Sequence, residues 1–294
     1  MIYCIGNNNY DVFFESGVLT GGSPGGSMLN VSVSLGRMNL PVAFLSRLGD
    51  DSLAGFIRSF LEENRVITGY LVVRKGKKTS LALAMLDEHK RPEYSFYGSA
   101  EPPVKFNNIG FKPGDILVLG SSYAIQDNTY DTVDELLAKA TAASAISIYD
   151  PNIRKKCTSG FNNASARARR RIKQADLVKM SDEDMEAIGV SLDELAGEFP
   201  GKPFIVTKGS SDVVFRMGNK QQLVSVPPLN PVNTTGAGDA FNAGLVSEIF
   251  RNSANASSLH NLSDGFWRRA IEQGINTAAK VCQSKENFIP KPIE

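Results

Sequence analysis

The sequence has little of what several common catalytic and metal-binding sites need. Its 294 residues include three cysteines and two histidines. Cys4, Cys157 and Cys282 lie far apart and form no Cys-x-x-Cys pair, which argues against a disulfide framework and against a structural zinc site. His89 and His260 both lie in polar stretches typical of exposed loops. Histidine-based nucleophilic catalysis would have to depend on these two residues.

An excess of one charge is also missing, and so is a long apolar run. The 32 Lys and Arg residues balance 31 Asp and Glu residues, so the net charge is +1, unlike that of a basic nucleic-acid binder. No stretch is long enough to span a membrane, and the first residues lack the pattern of a signal peptide. We expect a cytoplasmic protein that binds neither nucleic acid nor membranes. We interpret the basic run Arg167–Lys173 as a solvated helix face.

Short apolar strands alternate with amphipathic helical segments along most of the chain. Ile2–Ile5, Ile116–Leu119 and Phe204–Lys208 have the length and composition of buried parallel strands. This alternation predicts an α/β fold with a doubly wound, mostly parallel sheet. The stretch Val66–Val104 differs, because it is β-rich and joined by polar turns, and it predicts hairpins that pack as a small subdomain.

The segment 233–244 carries the strongest chemical signal. Gly236 and Gly238 stand just before an apolar helical run, where backbone N–H groups and the helix dipole favour an anion. Asp239 falls in the first helical turn, where it either takes a proton from a hydroxyl that attacks phosphorus or serves only as a favourable first-turn acid. A second glycine-rich turn, 21–26, lacks the Lys-Ser/Thr pair of a P-loop. It leads to Asn30, whose amide suits a small polar ligand.

Seven segments, in order, resemble the ribokinase-like (PfkB) family of sugar kinases over essentially the whole chain. They are Gly6 with Asp11, Gly25–Asn30, Arg47–Asp51, Asp150–Arg154, Lys179–Asp184, Thr207–Gly209 and Asn233–Val246. The sequence Asp150-Pro-Asn152-Ile-Arg154 is similar to the DPNxR motif of the fructokinase branch, and Lys179–Asp184 is similar to a second motif of that branch.

The resemblance implies the fold and the reaction. It implies a single ribokinase-like domain over residues 1–294 with a small β lid from about 10–20 and 66–104. It further implies ATP- and Mg²⁺-dependent phosphorylation of a sugar hydroxyl, with a ketohexose such as fructose as the expected acceptor. Kinases for ribose, a sugar acid or a nucleoside are the alternatives, and a catalytically inactive sugar-binding regulator is an alternative from another class. The resemblance also allows a homodimer through the lid.

Catalytic roles follow from the same resemblance. Asp239 would be the general base for the attacking hydroxyl. The N–H groups of Gly236, Ala237 and Gly238 would hold the transferring phosphoryl group. Arg154 would stabilise charge at the phosphates.

The remaining matched residues would bind substrate, nucleotide and metal. They are Asp11, Gly26 and Asn30 for the sugar, Thr207, Gly209 and Asn276 for the nucleotide, and Glu183 for Mg²⁺. Asn233 stands where many family members have Asp, in a loop that in the family lies near a monovalent-cation site. K⁺ dependence is therefore left open. The lid is expected to be short, since few residues separate Thr20 from Val31.

Overall fold

A computed structural model describes residues 1–86, 92–98, 103–153, 163–252 and 255–291 of the protein. Within these ranges the strands, β1 to β14, are Ile2–Ile5, Asn9–Glu15, Val18–Gly25, Val42–Leu48, Val66–Ile67, Leu71–Val73, Leu81–Leu86, Pro92–Tyr97, Ile116–Gly120, Ile146–Asp150, Leu177–Ser181, Phe204–Lys208, Ser211–Met217 and Lys220–Val224. The helices, α1 to α8, are Ser27–Arg37, Ser52–Glu63, Tyr130–Ala142, Ala164–Gln174, Asp182–Ile188, Leu192–Glu198, Ala237–Arg251 and Asp264–Cys282. Short 3₁₀ turns span Ser122–Ala124 and Ala256–Asn261.

The large sheet confirms the predicted doubly wound α/β fold. Its strand order is β14-β13-β12-β11-β10-β9-β1-β4-β5, with β6 paired to β4. Pairing is parallel from β5 to β12, and an antiparallel extension of β13 and β14 completes one edge. Helices cover both faces, which explains why the central strands are continuously apolar rather than alternating.

Two hydrophobic cores lie on the two faces of this sheet. Ile2 and Cys4 of β1 pack with α1, α2, α7 and α8 on one face. Tyr3 and Ile5 pack with α3, α4, α5 and α6 on the other. Successive side chains of a strand point to opposite faces, so one four-residue strand contributes to both cores. No helix in the described ranges is long and apolar enough to cross a membrane.

A separate four-stranded sheet, in the order β3-β2-β7-β8, confirms a small β unit beside the large sheet. The ranges predicted for this small β unit, 10–20 and 66–104, need two corrections. Val66–Ile67 and Leu71–Val73 pair with β4 of the large sheet, so the range 66–104 begins too early for the lid. Val18–Gly25 is a full strand paired with Asn9–Glu15, so the small sheet is longer here than the range 10–20 predicted for the lid, and the glycine-rich stretch is not a simple turn.

Close packing explains why this strand contains glycine. A Cβ atom on Gly25 would lie 2.4 Å from Asp11 Oδ2, and one on Gly22 would lie 2.6 Å from Tyr10 Cε1. The glycines therefore let the strand approach the side chains of its partner strand, which a reading of glycine as a turn signal misses.

The basic run Arg167–Lys173 is not a uniformly solvated face. Arg171 is fully buried, and its guanidinium donates to the carbonyl oxygens of Ala124 and Tyr130, both at 2.8 Å, and pairs with Asp134. A buried guanidinium is tolerated because its donors have acceptors. This arginine ties α4 to the connection between β9 and α3.

Candidate active site

A cleft of about 600 Å³ lies where the parallel strands of the large sheet end, beneath the small sheet. Three of its lining segments follow buried strands: 7–9 after β1, 121–122 after β9 and 152–153 after β10. In open α/β sheets the crevice at the carboxyl ends of the strands is the usual ligand site. The small sheet adds Tyr94, Phe96 and Tyr97 to the lining of the cleft.

Two helix N-termini meet in this cleft. Helix α1 begins after Gly26 (φ 123°) and α7 after Gly236 (φ 80°), and neither has a capping side chain. Positive φ angles favour glycine at both positions. At Gly236 close packing adds a second requirement, since a Cβ atom there would lie 2.1 Å from the Asn287 carbonyl oxygen. The uncapped first turns present backbone N–H groups and the positive ends of two helix dipoles to one space.

Asp239 in α7 is held by two side chains of α1. Ser27 Oγ donates to Asp239 Oδ1 at 2.6 Å, and Asn30 Nδ2 donates to Asp239 Oδ2 at 2.8 Å. All three residues line the cleft, and Asp239 is 7 % exposed. A carboxylate held at both oxygens has a fixed orientation toward whatever the cleft binds. Ser27 is a functional candidate that the sequence reading missed.

Asp11 enters the same cleft from the small sheet. Asn9 Nδ2 donates to Asp11 Oδ1, and Gly25 of the neighbouring strand packs against the carboxylate. Asn30 lines the same cleft, and its Oδ1 is buried with no hydrogen-bond partner in the described part of the chain. The structure therefore brings together Asp11, Gly26 and Asn30, to which the family resemblance gives a role in sugar binding, with Asp239 and Gly236.

The turn predicted to bind an anion lies at the cleft. Gly236 lines the cleft, and Ala237 and Gly238 open α7 directly beside it. The Ala237 N–H donates to Thr234 O at 3.2 Å, so this group closes the turn. The Ala237 N–H is therefore used within the turn itself.

A buried polar cluster lies behind this turn. Lys179 Nζ lies 3.5 Å from Asp150 Oδ2, and Asn242 Nδ2 donates to the same oxygen at 2.5 Å. Lys179 and Asp150 are 4 % and 2 % exposed. Burial raises the pKa of the Asp150 carboxyl to about 6, although Lys179 opposes the shift. The sequence analysis named Asp150 and Lys179 only as members of two family motifs and gave neither a role of its own.

The predicted nucleotide and metal residues do not line this cleft. Thr207 and Gly209 lie at the end of β12, Asn276 is exposed on α8, and Glu183 is exposed in the first turn of α5. Arg154 lies outside the described residues. Within the described ranges, no group of three His, Cys, Asp or Glu side chains could hold a metal ion alone. These assignments stay predictions.

The arrangement, two helix N-termini with an oriented carboxylate between an α/β sheet and a small β sheet, is that of a phosphoryl-transfer enzyme of the sugar-kinase class. Residues 20–293 match the pfkB family of carbohydrate kinases, and the chain belongs to this family. It is an ATP-dependent carbohydrate kinase, and its similarities fall in the fructokinase-like branch.

One similar sequence and two similar solved structures show the extent of this likeness. A fructokinase from Vibrio alginolyticus is 28 % identical over 259 residues, which cover 85 % of this chain and 84 % of that protein. The structure of a fructokinase from Vibrio cholerae with fructose, ADP and calcium superposes with a TM-score of 0.86 at 24 % identity, over 98 % of this chain and 94 % of the other. An aminoimidazole riboside kinase from Salmonella enterica, with riboside and an ATP analogue, gives 0.82 at 19 % identity over 99 % and 96 %.

Proposed function

We propose that the protein transfers the γ-phosphoryl group of ATP to a hydroxyl of fructose in the cytoplasm. The observation that carries the chemistry is the Asp239 carboxylate, oriented by Ser27 and Asn30 at the uncapped N-terminus of α7. The observation that favours fructose is the similarity to fructokinases over most of the chain.

Asp239 acts as the general base in this proposal. The sugar hydroxyl oxygen attacks the γ-phosphorus, the bond from that phosphorus to the bridging oxygen breaks, and ADP leaves. The hydroxyl proton passes to Asp239. The two hydrogen bonds from Ser27 and Asn30 hold the carboxylate in place during the transfer, and positioning of this kind supplies most of the catalysis in phosphoryl transfer.

The negative charge of the transferring group is placed at the turn 236–238. Backbone N–H groups at a helix N-terminus stabilise such charge without reorganisation. Arg154 is proposed to add a cation at the phosphates. Because Ala237 donates to Thr234 O, Gly236 and Gly238 are expected to contribute more than Ala237.

Sugar recognition is assigned to the other end of the cleft. Asp11 accepts from sugar hydroxyls, and its geometry is set by Asn9 and by the close approach of Gly25. The unpaired Asn30 Oδ1 accepts one more sugar hydroxyl. A buried acceptor that pairs only when the right hydroxyl is present discriminates strongly against sugars that lack it.

The nucleotide is proposed to lie along the end of β12, with Thr207, Gly209 and Asn276 around it. A Mg²⁺ ion is proposed to be held mainly by phosphate oxygens and water, with Glu183 contributing through water, since Mg²⁺ usually keeps several waters and takes few protein ligands. When bound, the ion would neutralise charge between the phosphates. The family relatives with ADP and calcium, or with an ATP analogue, support a nucleotide with a divalent cation.

A nucleoside or riboside is the second candidate acceptor. The small sheet places Tyr94, Phe96 and Tyr97 in the cleft, and the Tyr94 and Phe96 rings stack with centroids 5.8 Å apart. Aromatic rings at a cleft suit a heterocyclic base. The similarity to an aminoimidazole riboside kinase is consistent with this alternative.

A coupled assay of ADP release tests the proposal. Fructose, tagatose, ribose, keto-deoxy sugar acids and nucleosides are compared at saturating ATP and Mg²⁺, each against a no-sugar control. The highest kcat/KM is expected for fructose. A higher kcat/KM for a nucleoside would show that fructose is not the preferred substrate, while the kinase activity would stand. Sugar binding without ADP release for any acceptor would instead favour the sugar-binding regulator.

A further inference from the structure

Lys179 is a buried cation whose position the proposed chemistry has not yet used. It lies on β11, is 4 % exposed, and its ammonium faces Asp150 Oδ2 at 3.5 Å. Burying an ammonium group is costly unless it is well paired. At 3.5 Å the pair is loose, so the hydrogen bond alone gives little reason for burying this residue here.

The ammonium lies at the N-terminal end of α7. A Cβ atom on Gly238 would be 3.5 Å from Lys179 Nζ, and the Phe241 ring centroid is 6.0 Å away. Helix N-termini favour negative charge, so a buried cation beside the first turn opposes the usual preference. An anion bound at the same turn would attract the ammonium, so the interaction at this helix end would become favourable.

Acidic side chains are also present in this region. Asp239 lies in the first turn of α7 and is 7 % exposed, and the buried Asp150 and Asp184 are both 2 % exposed. A phosphoryl group bound at 236–238 would therefore lie beside the Asp239 carboxylate, which repels it. Lys179 is a buried cation 3.5 Å from Asp150 Oδ2 and 3.5 Å from the Cβ position of Gly238.

Only one of the two Asp150 carboxylate oxygens is used to bind the Lys179 ammonium. Its Oδ2 accepts from both Lys179 and Asn242, while its Oδ1 has no hydrogen-bond partner in the described ranges. The Asn242 Oδ1 is likewise buried without a described partner. The cluster is thus incompletely satisfied by the described residues, and such a buried polar group calls for an explanation beyond packing.

We propose that Lys179 is a positioning residue for phosphoryl transfer, whose buried ammonium, held by Asp150, supplies the fixed positive charge that lets the turn 236–238 accept a phosphoryl group beside Asp239. This inference depends on the proposed kinase function. Lys179 acts through the electrostatic field behind Gly238, and no direct contact with the substrate is required. Fixed charge of this kind is effective because the site is dry and need not reorganise.

A double variant separates this role from a purely structural one. Lys179→Met alone leaves the Asp150 carboxylate buried without its cation, whereas Lys179→Met with Asp150→Asn removes both charges and keeps their size. The double variant is expected to unfold near the wild-type temperature, to bind fructose with unchanged Kd and to lose about tenfold or more in kcat. Lys202→Met is the matched control, because this half-buried lysine bonds to Ile172 O and Lys173 O and does not line the cleft.

A second readout is independent of turnover. The ratio of the Kd for a non-hydrolysable ATP analogue to the Kd for ADP is measured by calorimetry in the wild type and in the double variant. In the double variant this ratio is expected to rise at least fivefold, because the terminal phosphoryl group loses its supporting charge. A double variant with wild-type stability, wild-type kcat and an unchanged ratio would overturn the proposal. If the wild type phosphorylates no acceptor, the proposed function fails, and the ratio alone decides the role of Lys179.

Discussion

Ser27 Oγ donates a 2.6 Å hydrogen bond to Asp239 Oδ1, although the two residues are 212 positions apart in the chain. Each lies in the first turn of its helix, Ser27 in α1 and Asp239 in α7. The bond therefore joins the two helix N-termini that face the cleft, and it links the orientation of the proposed base to the helix that also carries Asn30.

Removal of the Ser27 hydroxyl should affect catalysis more than stability. In Ser27→Ala, Asp239 keeps the Asn30 hydrogen bond but loses the one at Oδ1 that helps to fix the orientation of the carboxylate. We expect kcat to fall about tenfold with little change in the KM for fructose. Ser32→Ala is the control, since Ser32 is a buried serine of the same helix that bonds to Met28 O and does not line the cleft. Equal kinetic effects in the two variants would contradict the role of Ser27.

Asp11 should control sugar affinity. Asp11→Asn keeps the size of the side chain but removes the charged acceptor, so kcat/KM for fructose should fall about 10- to 100-fold. The KM for ATP should stay within about twofold, because the nucleotide is assigned to the other end of the site. Steady-state kinetics with each substrate varied in turn checks both values. A rise in the KM for ATP as large as that for fructose would contradict this division of the site.

K⁺ should have little effect on activity. Asn233 Oδ1 accepts from the Thr235 N–H at 2.9 Å, and Asn233 Nδ2 lies 3.4 Å from Asn287 Oδ1, so the neutral amide is used within the loop. A neutral amide attracts a cation less than a carboxylate would. Rates in KCl, NaCl and choline chloride at equal ionic strength should agree within about twofold, and Asn233→Asp should create a preference for K⁺. Strong activation of the wild type by K⁺ would refute this expectation.

Asp150 should make stability depend on pH. Burial is the main cause that raises the pKa of this carboxyl from 3.8 to about 6, and the charged or polar groups that act on it are Lys179, Asp184, Asp239 and Asn242. A raised pKa in the folded state means that the group stabilises the fold fully below about 3.8, and that this contribution is lost as the pH rises through about 6.

Urea unfolding at pH 5.0 and 7.5 measures this effect. Asp150→Asn stays neutral throughout, so its unfolding free energy should increase relative to the wild type between the two pH values. Asp131→Asn, at an exposed first-turn acid of α3, serves as the control. A difference between Asp150→Asn and wild type that stays constant from pH 5.0 to 7.5 would show that the folded protein does not shift this carboxyl.

Much of the framework was predictable from the sequence because its signals are local. Apolar strands such as Ile116–Gly120 and the uncapped glycine turn at Gly236 are read from neighbouring residues. The strand Val18–Gly25 was missed because glycine usually indicates a turn. Here it instead allows a close approach to Asp11 that only the folded pairing reveals.

The rest of the site depends on pairings between distant residues. Lys179 lies 29 positions from Asp150, and Asn242 lies 92 positions from it, so no periodicity or spacing relates the three. Arg171 was read as solvated because its neighbours in the sequence are charged, yet its acceptors come from residues about 40 positions earlier. Such contacts follow from topology, not from local pattern.

The rate of fructose-dependent ADP release by Asp239→Asn tests the central claim most directly. This variant keeps the size of the side chain and removes the proposed base, so kcat should fall about 10²- to 10⁴-fold while fructose still binds. Asp264→Asn removes an acid from the first turn of α8 and should leave kcat unchanged, which controls for a simple helix-dipole effect. If Asp239→Asn turns over fructose at a rate near that of the wild type, Asp239 is not the base and this account of the site is wrong.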